Sequence, residues 1–397
     1  MTRTVSTSIE PGCVELWRRR RELLGKKRIG LLVNPASVLP DLTYLFDRLI
    51  DDASLRLTAL LAPEHGLAAD RQDQVNIPSA TYRGRPVFSL YGTRSADLRP
   101  TPGVMDEFDV LVADLQDVGA RYYTFIYTIA FAMEACAAAG KPIIICDRPN
   151  PLGGLELEGP LLRPPFASFV GRFPLPVRHG LTVGELAEWF NAELKIGAHL
   201  TVLPCRGWKR DLWFDQTGLP WVPPSPNMPT ADTAIVYPGA CLLEGTNLSE
   251  GRGTTRPFEI TGAPFIDGRE LAEKLNALHL PGTAFRPIHF SPTFHKFSGR
   301  ICGGVFVHVT DREIFRPFRT YLELIYQVCR LNPGEIAWRT EPYEFETERL
   351  AFDLLCGTDA IRRGLEAGVA PAELEANWTD ELQAFAVERK KYLNPAY

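Results

Sequence analysis

Five short apolar runs in this chain each end in residues able to do chemistry. Asn34-Pro35 follows Arg28–Val33, Pro63-Glu64-His65-Gly66 follows Leu57–Ala62, and Tyr91-Gly92 follows Pro86–Leu90. Gln116-Asp117-Val118-Gly119-Ala120-Arg121-Tyr122 follows Asp109–Leu115, and Asp147-Arg148-Pro149-Asn150 follows Pro142–Cys146. Taken singly, an acidic residue after a strand is more readily a turn former or helix cap than a catalyst. Their coincidence at every strand end points instead to carboxylates, amides, an imidazole and two guanidinium groups aimed at one edge. A second concentration is ACLLEGTNLSEGRGTTRPFE, residues 240–259, which joins Glu244, Asn247, Glu250, Arg252 and Arg256 to a glycine-rich backbone. Glycines let the backbone approach a ligand closely, while carboxylates and guanidinium groups supply charge and direction. The competing reading of this tract is a surface loop held by its own salt bridges.

Several chemistries lack their motif. Leu32-Val33-Asn34-Pro35 has no glycine turn, so the dinucleotide fingerprint GxGxxG is missing after the first run. There is no GxxxxGK[ST], HExxH or GxSxG either. Of the seven histidines only His65 stands within a motif, although His289 and His295 share a Pro-rich, aromatic segment that could line a cleft. What remains is carboxylate chemistry. A glycosidic bond is commonly broken by two carboxyl groups, one protonating the leaving oxygen and the other acting as nucleophile or activating water. Glu64 and Glu250 are the best pair by position, with His65 beside the first; both inverting and retaining outcomes stay open. Tyr82, Tyr91, Tyr122, Tyr123, Trp208, Trp213 and Trp221 are available as sugar-stacking faces.

The elements that must position these groups can be read from periodicity. In the first 150 residues β-rich runs alternate with helical ones at Leu42–Asp51 and Thr124–Ala139, the signature of a parallel sheet with crossover helices. Strands this uniformly apolar fit a sheet covered on both faces. The expected fold class is therefore α/β, a Rossmann-like, doubly wound, mostly parallel sheet, with ligands received beyond the carboxyl ends of its strands. Thr182 stands three residues before Glu185, the capping-box spacing, and opens a helix, followed by the strand HLTVLP. After Glu259 the pattern changes to Thr283–Phe290, Ile301–Val309 and a helix near Glu313–Leu331, read as a smaller α+β domain. We therefore expect residues 1–264 to form the Rossmann-like catalytic domain and residues 265–397 a domain that closes the cleft.

Composition bounds the rest. With 43 basic and 48 acidic side chains among 397 residues the formal charge is −5, which argues against a nucleic-acid partner, since phosphate binding usually shows as a basic excess. No run approaches the roughly 20 apolar residues of a membrane helix, and the N-terminal stretch does not read as a signal peptide. A cytoplasmic protein without a membrane partner is expected. The eight cysteines show no CxxC and no zinc-ligand spacing, so neither disulfides nor a structural metal are indicated.

The series LLVNPASV, LAPEHG, SLYG, LQDVGARYYTFIYT, DRPNPLGG, LEGPLL, GLPWVPPSPNMPT and YPGACLLEGTNLSEGRGTTRPFE resembles the exo-β-N-acetylmuramidase family from about residue 28 onward. The resemblance implies a cleft between the two domains and removal of terminal N-acetylmuramic acid from non-reducing ends of peptidoglycan fragments, without metal or organic cofactor. It places the family's EHG glutamate on Glu64 and its EGTNLSEGRG glutamates on Glu244 and Glu250, either of which could share the chemistry. Muramic acid carries a lactyl carboxylate, for which Arg121, Arg148, Arg252 and Arg256 are candidate partners, and an N-acetyl group that Asn34, Asn227 or Asn247 would meet. Tyr91, Asp117, Tyr122 and Asp147 complete the candidate binding set. A non-catalytic muropeptide-binding protein is the alternative, and a metal-dependent hydrolase built on His65, Asp117 and Glu64 the third reading.

Overall fold

The computed structural model describes residues 9–69 and 80–397, so the first eight residues of the stretch read above as no signal peptide lie outside it. Seven strands form the larger sheet: β1 (Arg28–Val33), β2 (Arg56–Ala62), β3 (Ala80–Tyr82), β4 (Arg85–Ser89), β5 (Val110–Asp114), β6 (Ile143–Cys146) and β7 (Leu200–Leu203). Their order is β3-β4-β2-β1-β5-β6-β7, and every neighbour is parallel except the β3–β4 hairpin at one edge. The strand order reverses between β1 and β5, the switch point at which open α/β sheets form their crevice.

Side-chain alternation explains why both faces are covered. Ile29, Leu31 and Val33 pack with Cys13 and Leu16 of the helix Gly12–Leu23 and with Leu45 and Leu49 of the helix Leu45–Asp51. Leu32 points the other way, into a core shared with the helices Phe125–Ala138 and Val183–Glu193. The latter opens as expected: the Thr182 hydroxyl accepts from the Glu185 amide at 3.3 Å, and the Glu185 carboxylate accepts from the Thr182 amide at 3.0 Å.

The second sheet is antiparallel, with β10 (Cys302–Val309) between β8 (Ile260–Ala263) and β9 (Thr283–Phe290). Helices Gly268–Ala277 and Pro317–Leu331 cover it, and their apolar faces join the same core as the first sheet's second face. The fold is thus the expected α/β class with a smaller α+β part. Among the described residues no helix is long and apolar enough to cross a membrane.

Candidate active site

Glu64 is placed by a tight turn at the carboxyl end of β2. The Gly66 amide donates to the Pro63 carbonyl at 3.1 Å, and His65 and Gly66 both adopt left-handed backbone, φ 71° and 82°. His65 holds that conformation at a cost a glycine would not incur, a pattern found where a functional group must be aimed. The hydroxyl of Thr124, just before the helix Phe125–Ala138, donates to Glu64 Oε2 at 2.7 Å and fixes the carboxyl against that helix.

Glu244 lines the same cavity as Glu64, in the turn of 3-10 helix Cys241–Gly245 that follows the helix Ala231–Ala240. It accepts from Arg252 at 2.7 Å through Oε1 and from the Tyr343 hydroxyl at 2.6 Å through Oε2. Burial, and then the neighbouring Glu244, push the Tyr343 phenol well above its usual range, which keeps it a donor. Glu250 lies behind Arg252 and is fully buried. It faces Arg252 Nε at 3.3 Å, His295 Nδ1 at 3.0 Å and Lys296 Nζ at 3.0 Å. Burial alone would raise its carboxyl, but Lys296, His295 and Arg252 together hold it well below the ordinary carboxylate range.

Glu64, His65, Tyr122, Asn227, Glu244 and Arg252 share the walls of one cavity with Tyr123, Thr124, Phe125, Val170, Ser225, Met228, Tyr237, Phe258, Tyr343 and Glu344. Its volume is about 40 Å³. One side is closed by the turn around Tyr343–Glu346, in which Glu344 and Phe345 are both left-handed, φ 47° and 68°. Tyr91 lies just outside the wall and donates to Glu344 at 3.0 Å, while the Phe345 ring sits 5.4 Å from that of Tyr91 and 5.9 Å from that of Phe169.

The other sequence candidates are turned to structural work away from the cavity. Arg121 is fully buried and donates to the carbonyls of Pro160, Leu175 and Leu355 at 2.7, 2.8 and 2.7 Å. Arg148 forms a two-point pair with Asp114, at 2.6 and 2.8 Å. Asp147 accepts from Thr182, Gly184 and Tyr397, pinning a helix start. Asp117 accepts from the Gly119 amide at 2.7 Å and faces His179 at 3.3 Å. Asn34 closes its own turn on Ala36 and donates to the Pro224 carbonyl, whereas Asn247 ties down the backbone of Glu335 and Ala337. Arg256 pairs with Glu259. Of the aromatic faces, Tyr122 and Tyr123 reach the cavity; Tyr122 lends it only a ring, because its hydroxyl donates to the Pro238 carbonyl. Tyr82 and Trp213 instead bond Asp47 and Glu313, Trp221 bonds the Met228 carbonyl, and Trp208 lies in a separate small core. The physical reason is common to these side chains: a strand end is also where helix starts and crossover loops need donors and acceptors.

Sequence reasoning missed Thr124, Ser225, Tyr237, Lys296, Tyr343 and Glu344. Tyr343 and Glu344 arrive from about a hundred residues after the glutamate motif, in a stretch with no motif-like spacing of its own. The signal that could have found Thr124 was its place as the polar residue opening a helix that is buried from Phe125 through Met133.

A cavity walled by a glutamate from the sheet edge, a second glutamate held by arginine and tyrosine, and several aromatic and amide side chains defines a glycoside hydrolase site. Residues 29–232 match the model of the N-terminal part of exo-β-N-acetylmuramidase NamZ and residues 235–394 that of its C-terminal part. The chain belongs to this exo-β-N-acetylmuramidase family. It is 48% identical over 376 residues to the peptidoglycan β-N-acetylmuramidase NamZ of Bacillus subtilis (strain 168), covering 94% of this chain and 88% of that protein. Crystal structures of two DUF1343 family proteins from Bacteroides fragilis NCTC 9343 share the fold. One has a TM-score of 0.86 at 34% identity, covering 97% of this chain and 98% of that one. The other has a TM-score of 0.75 at 30% identity, with 98% and 99% covered.

Proposed function

We propose that this chain hydrolyses the β-glycosidic bond of a terminal N-acetylmuramic acid at the non-reducing end of peptidoglycan fragments, releasing the monosaccharide. The observation that carries this reading is the convergence of Glu64 and Glu244 on one cavity. Glu64, fixed through Oε2 by Thr124, protonates the leaving glycosidic oxygen. Glu244, held by Arg252 and Tyr343, faces the positive charge that develops at the anomeric carbon, as nucleophile or as base for water. Arg252 is the guanidinium on the wall and meets the lactyl carboxylate; Asn227 meets the N-acetyl group, with Tyr123, Val170 and Met228 around it.

At about 40 Å³ the cavity is far smaller than a ligand pocket of roughly 300 Å³ or more, so the sugar enters with the turn at Tyr343–Glu346 displaced. The test is incubation with peptidoglycan fragments ending in muramic acid and with fragments ending in N-acetylglucosamine, followed by chromatography. Release of N-acetylmuramic acid from the first set alone is expected. Binding of muramic acid by calorimetry without product after overnight incubation would overturn the hydrolase in favour of a binding protein.

A further inference from the structure

The turn beside the catalytic cavity separates it from a second one. Tyr343 and Glu344 line the catalytic cavity of about 40 Å³, while Glu344, Phe345 and Glu346 line a neighbour of about 340 Å³. Glu344 belongs to both walls, and Phe169 and Val170, adjacent in the chain, line one each. A ligand pocket takes roughly 300 Å³ or more, so the first cavity gains room for a sugar most directly from the second. Glu344 and Phe345 stand where that room would be gained.

The backbone of this turn and its sequence disagree. Tyr343 and Glu346 exchange both backbone hydrogen bonds, each 2.9 Å, and so form the ends of a two-residue hairpin. Its central residues both have positive φ, 47° at Glu344 and 68° at Phe345, the signature of a type I′ turn. Such a turn favours Asn-Gly, because most side chains are unfavourable at positive φ, and Glu-Phe is a poor occupant. The tip is therefore held by its contacts rather than by its propensity. The Tyr91 hydroxyl donates to Glu344 at 3.0 Å, and the Phe345 ring sits 5.4 Å from that of Tyr91 and 5.9 Å from that of Phe169. The two ends of the hairpin are anchored separately: the Tyr343 hydroxyl donates to Glu244 at 2.6 Å, and Arg349 donates to Glu346 at 3.1 Å. A flip of the tip thus relieves the backbone and leaves the bond between Tyr343 and Glu244 in place.

We infer that Glu344 and Phe345 are an internal plug: they seat between the two cavities in the empty protein, and the tip stays flipped out while a sugar occupies the joined space. The inference rests on the hydrolase reading above for the identity of the sugar, and on the two cavities and the turn for the displacement. When only a fraction of molecules is competent to bind, the observed Kd is the intrinsic one divided by that fraction. Loosening the plug therefore tightens binding. Phe345→Ala removes the ring seated against Tyr91 and Phe169, and Tyr91→Phe removes the bond to Glu344 while keeping the ring. In calorimetry with N-acetylmuramic acid, Phe345→Ala is expected to lower Kd threefold or more and Tyr91→Phe to lower it less. Equal or weaker binding in both variants, or no binding in any of the three proteins, overturns the plug. A second readout follows the tip itself. Phe345→Cys is labelled by a maleimide with and without saturating N-acetylmuramic acid, and the rate at that position is read by peptide mass. A rate at least threefold higher with the sugar is expected; an unchanged or slower rate overturns the inference. Tighter binding supports the plug even if the protein cleaves neither the disaccharide of N-acetylmuramic acid linked to N-acetylglucosamine nor a nitrophenyl glycoside of N-acetylmuramic acid, a result that would count against the hydrolase reading alone.

Discussion

The guanidinium of Arg252 bonds Glu244 at 2.7 Å while its Nε faces the buried Glu250 at 3.3 Å. Glu244 is therefore aimed by a residue that is itself aimed from behind, and Glu250 acts through Arg252. Replacing Glu250 by glutamine leaves Arg252, Lys296 and His295 without their common counter-charge. Breaking a buried pair from one side costs roughly 3–5 kcal/mol, so Glu250→Gln is expected to lower the denaturant midpoint markedly. At temperatures where it stays folded, kcat should fall while the KM for a nitrophenyl muramide changes less, because Arg252 swings and Glu244 loses its alignment. Urea titration and steady-state kinetics check both; unchanged kcat would free Glu244 from this chain of contacts.

The two cavity glutamates are distinguished by the leaving group. A nitrophenolate departs without a proton, whereas a sugar alkoxide needs one. Glu64→Gln should thus cost about 10²–10⁴-fold in kcat on the disaccharide and much less on the nitrophenyl glycoside. Glu244→Gln should cost a comparable factor on both. Single-turnover and steady-state assays on the two substrates decide the matter, and the reverse pattern would exchange the roles.

Glu158 gives stability a pH dependence away from the site. Burial pushes its carboxyl up to about 7, only partly offset by the Arg319 amide that donates to it at 2.9 Å and by Arg178. The folded state therefore holds this proton more tightly than the unfolded chain does. Its contribution is fully present below the unfolded value near 4.5 and is lost as pH rises through 7, a swing of about 3 kcal/mol by linkage. Glu158→Gln keeps the acceptor without the charge. It should flatten the loss of thermal stability between pH 5 and 8 and be the more stable protein at pH 8; parallel curves for the two proteins in calorimetry would contradict this.

The strands and the fold class were legible because an apolar period is a property of the chain itself. Arg28–Val33 and Thr283–Phe290 begin and end where the alternation does, and the Thr182 cap can be read from three residues of spacing. The helix Ala231–Ala240 was hidden by Pro238 inside it, and β8 by its shortness and its glycine. For the site, Glu64 stood out because PEHG combines turn formers with a carboxylate, but the sequence paired it with Glu250, whereas Glu244 is the glutamate of the second motif that lines the cavity and Glu250 is buried against Lys296 and His295. Which arginine faces the cavity did not stand out, since Arg121, Arg148 and Arg252 are equally polar on paper. The difference between a guanidinium that closes three backbone carbonyls and one that bonds a cavity glutamate lies in contacts made far along the chain, such as Arg121 with Leu355 and Glu244 with Tyr343.

Gly245 fixes how closely Glu244 can stand to the C-terminal helices. A Cβ at this position would lie 2.5 Å from the backbone nitrogen and Cα of Phe352, where the neighbour is main chain and cannot turn aside. Phe352 lies in the first turn of the buried helix Ala351–Cys356 and packs its ring against that of Trp338 at 4.5 Å, so pushing it outward strains the packing behind Glu244. Gly245→Ala is expected to destabilise by about 1–3 kcal/mol, as overpacking of a filled core does, and to reduce kcat as Glu244 shifts from Tyr343. Gly103→Ala is the control. It lies in the short helix Pro102–Met105 with its nearest neighbour 4.0 Å from the added carbon, and alanine there should be neutral or stabilising by up to about 1 kcal/mol. Thermal unfolding and disaccharide turnover of the two variants side by side separate close backbone packing at Gly245 from a general effect of removing glycine; equal behaviour of the pair would mean that the helix Ala351–Cys356 yields without cost.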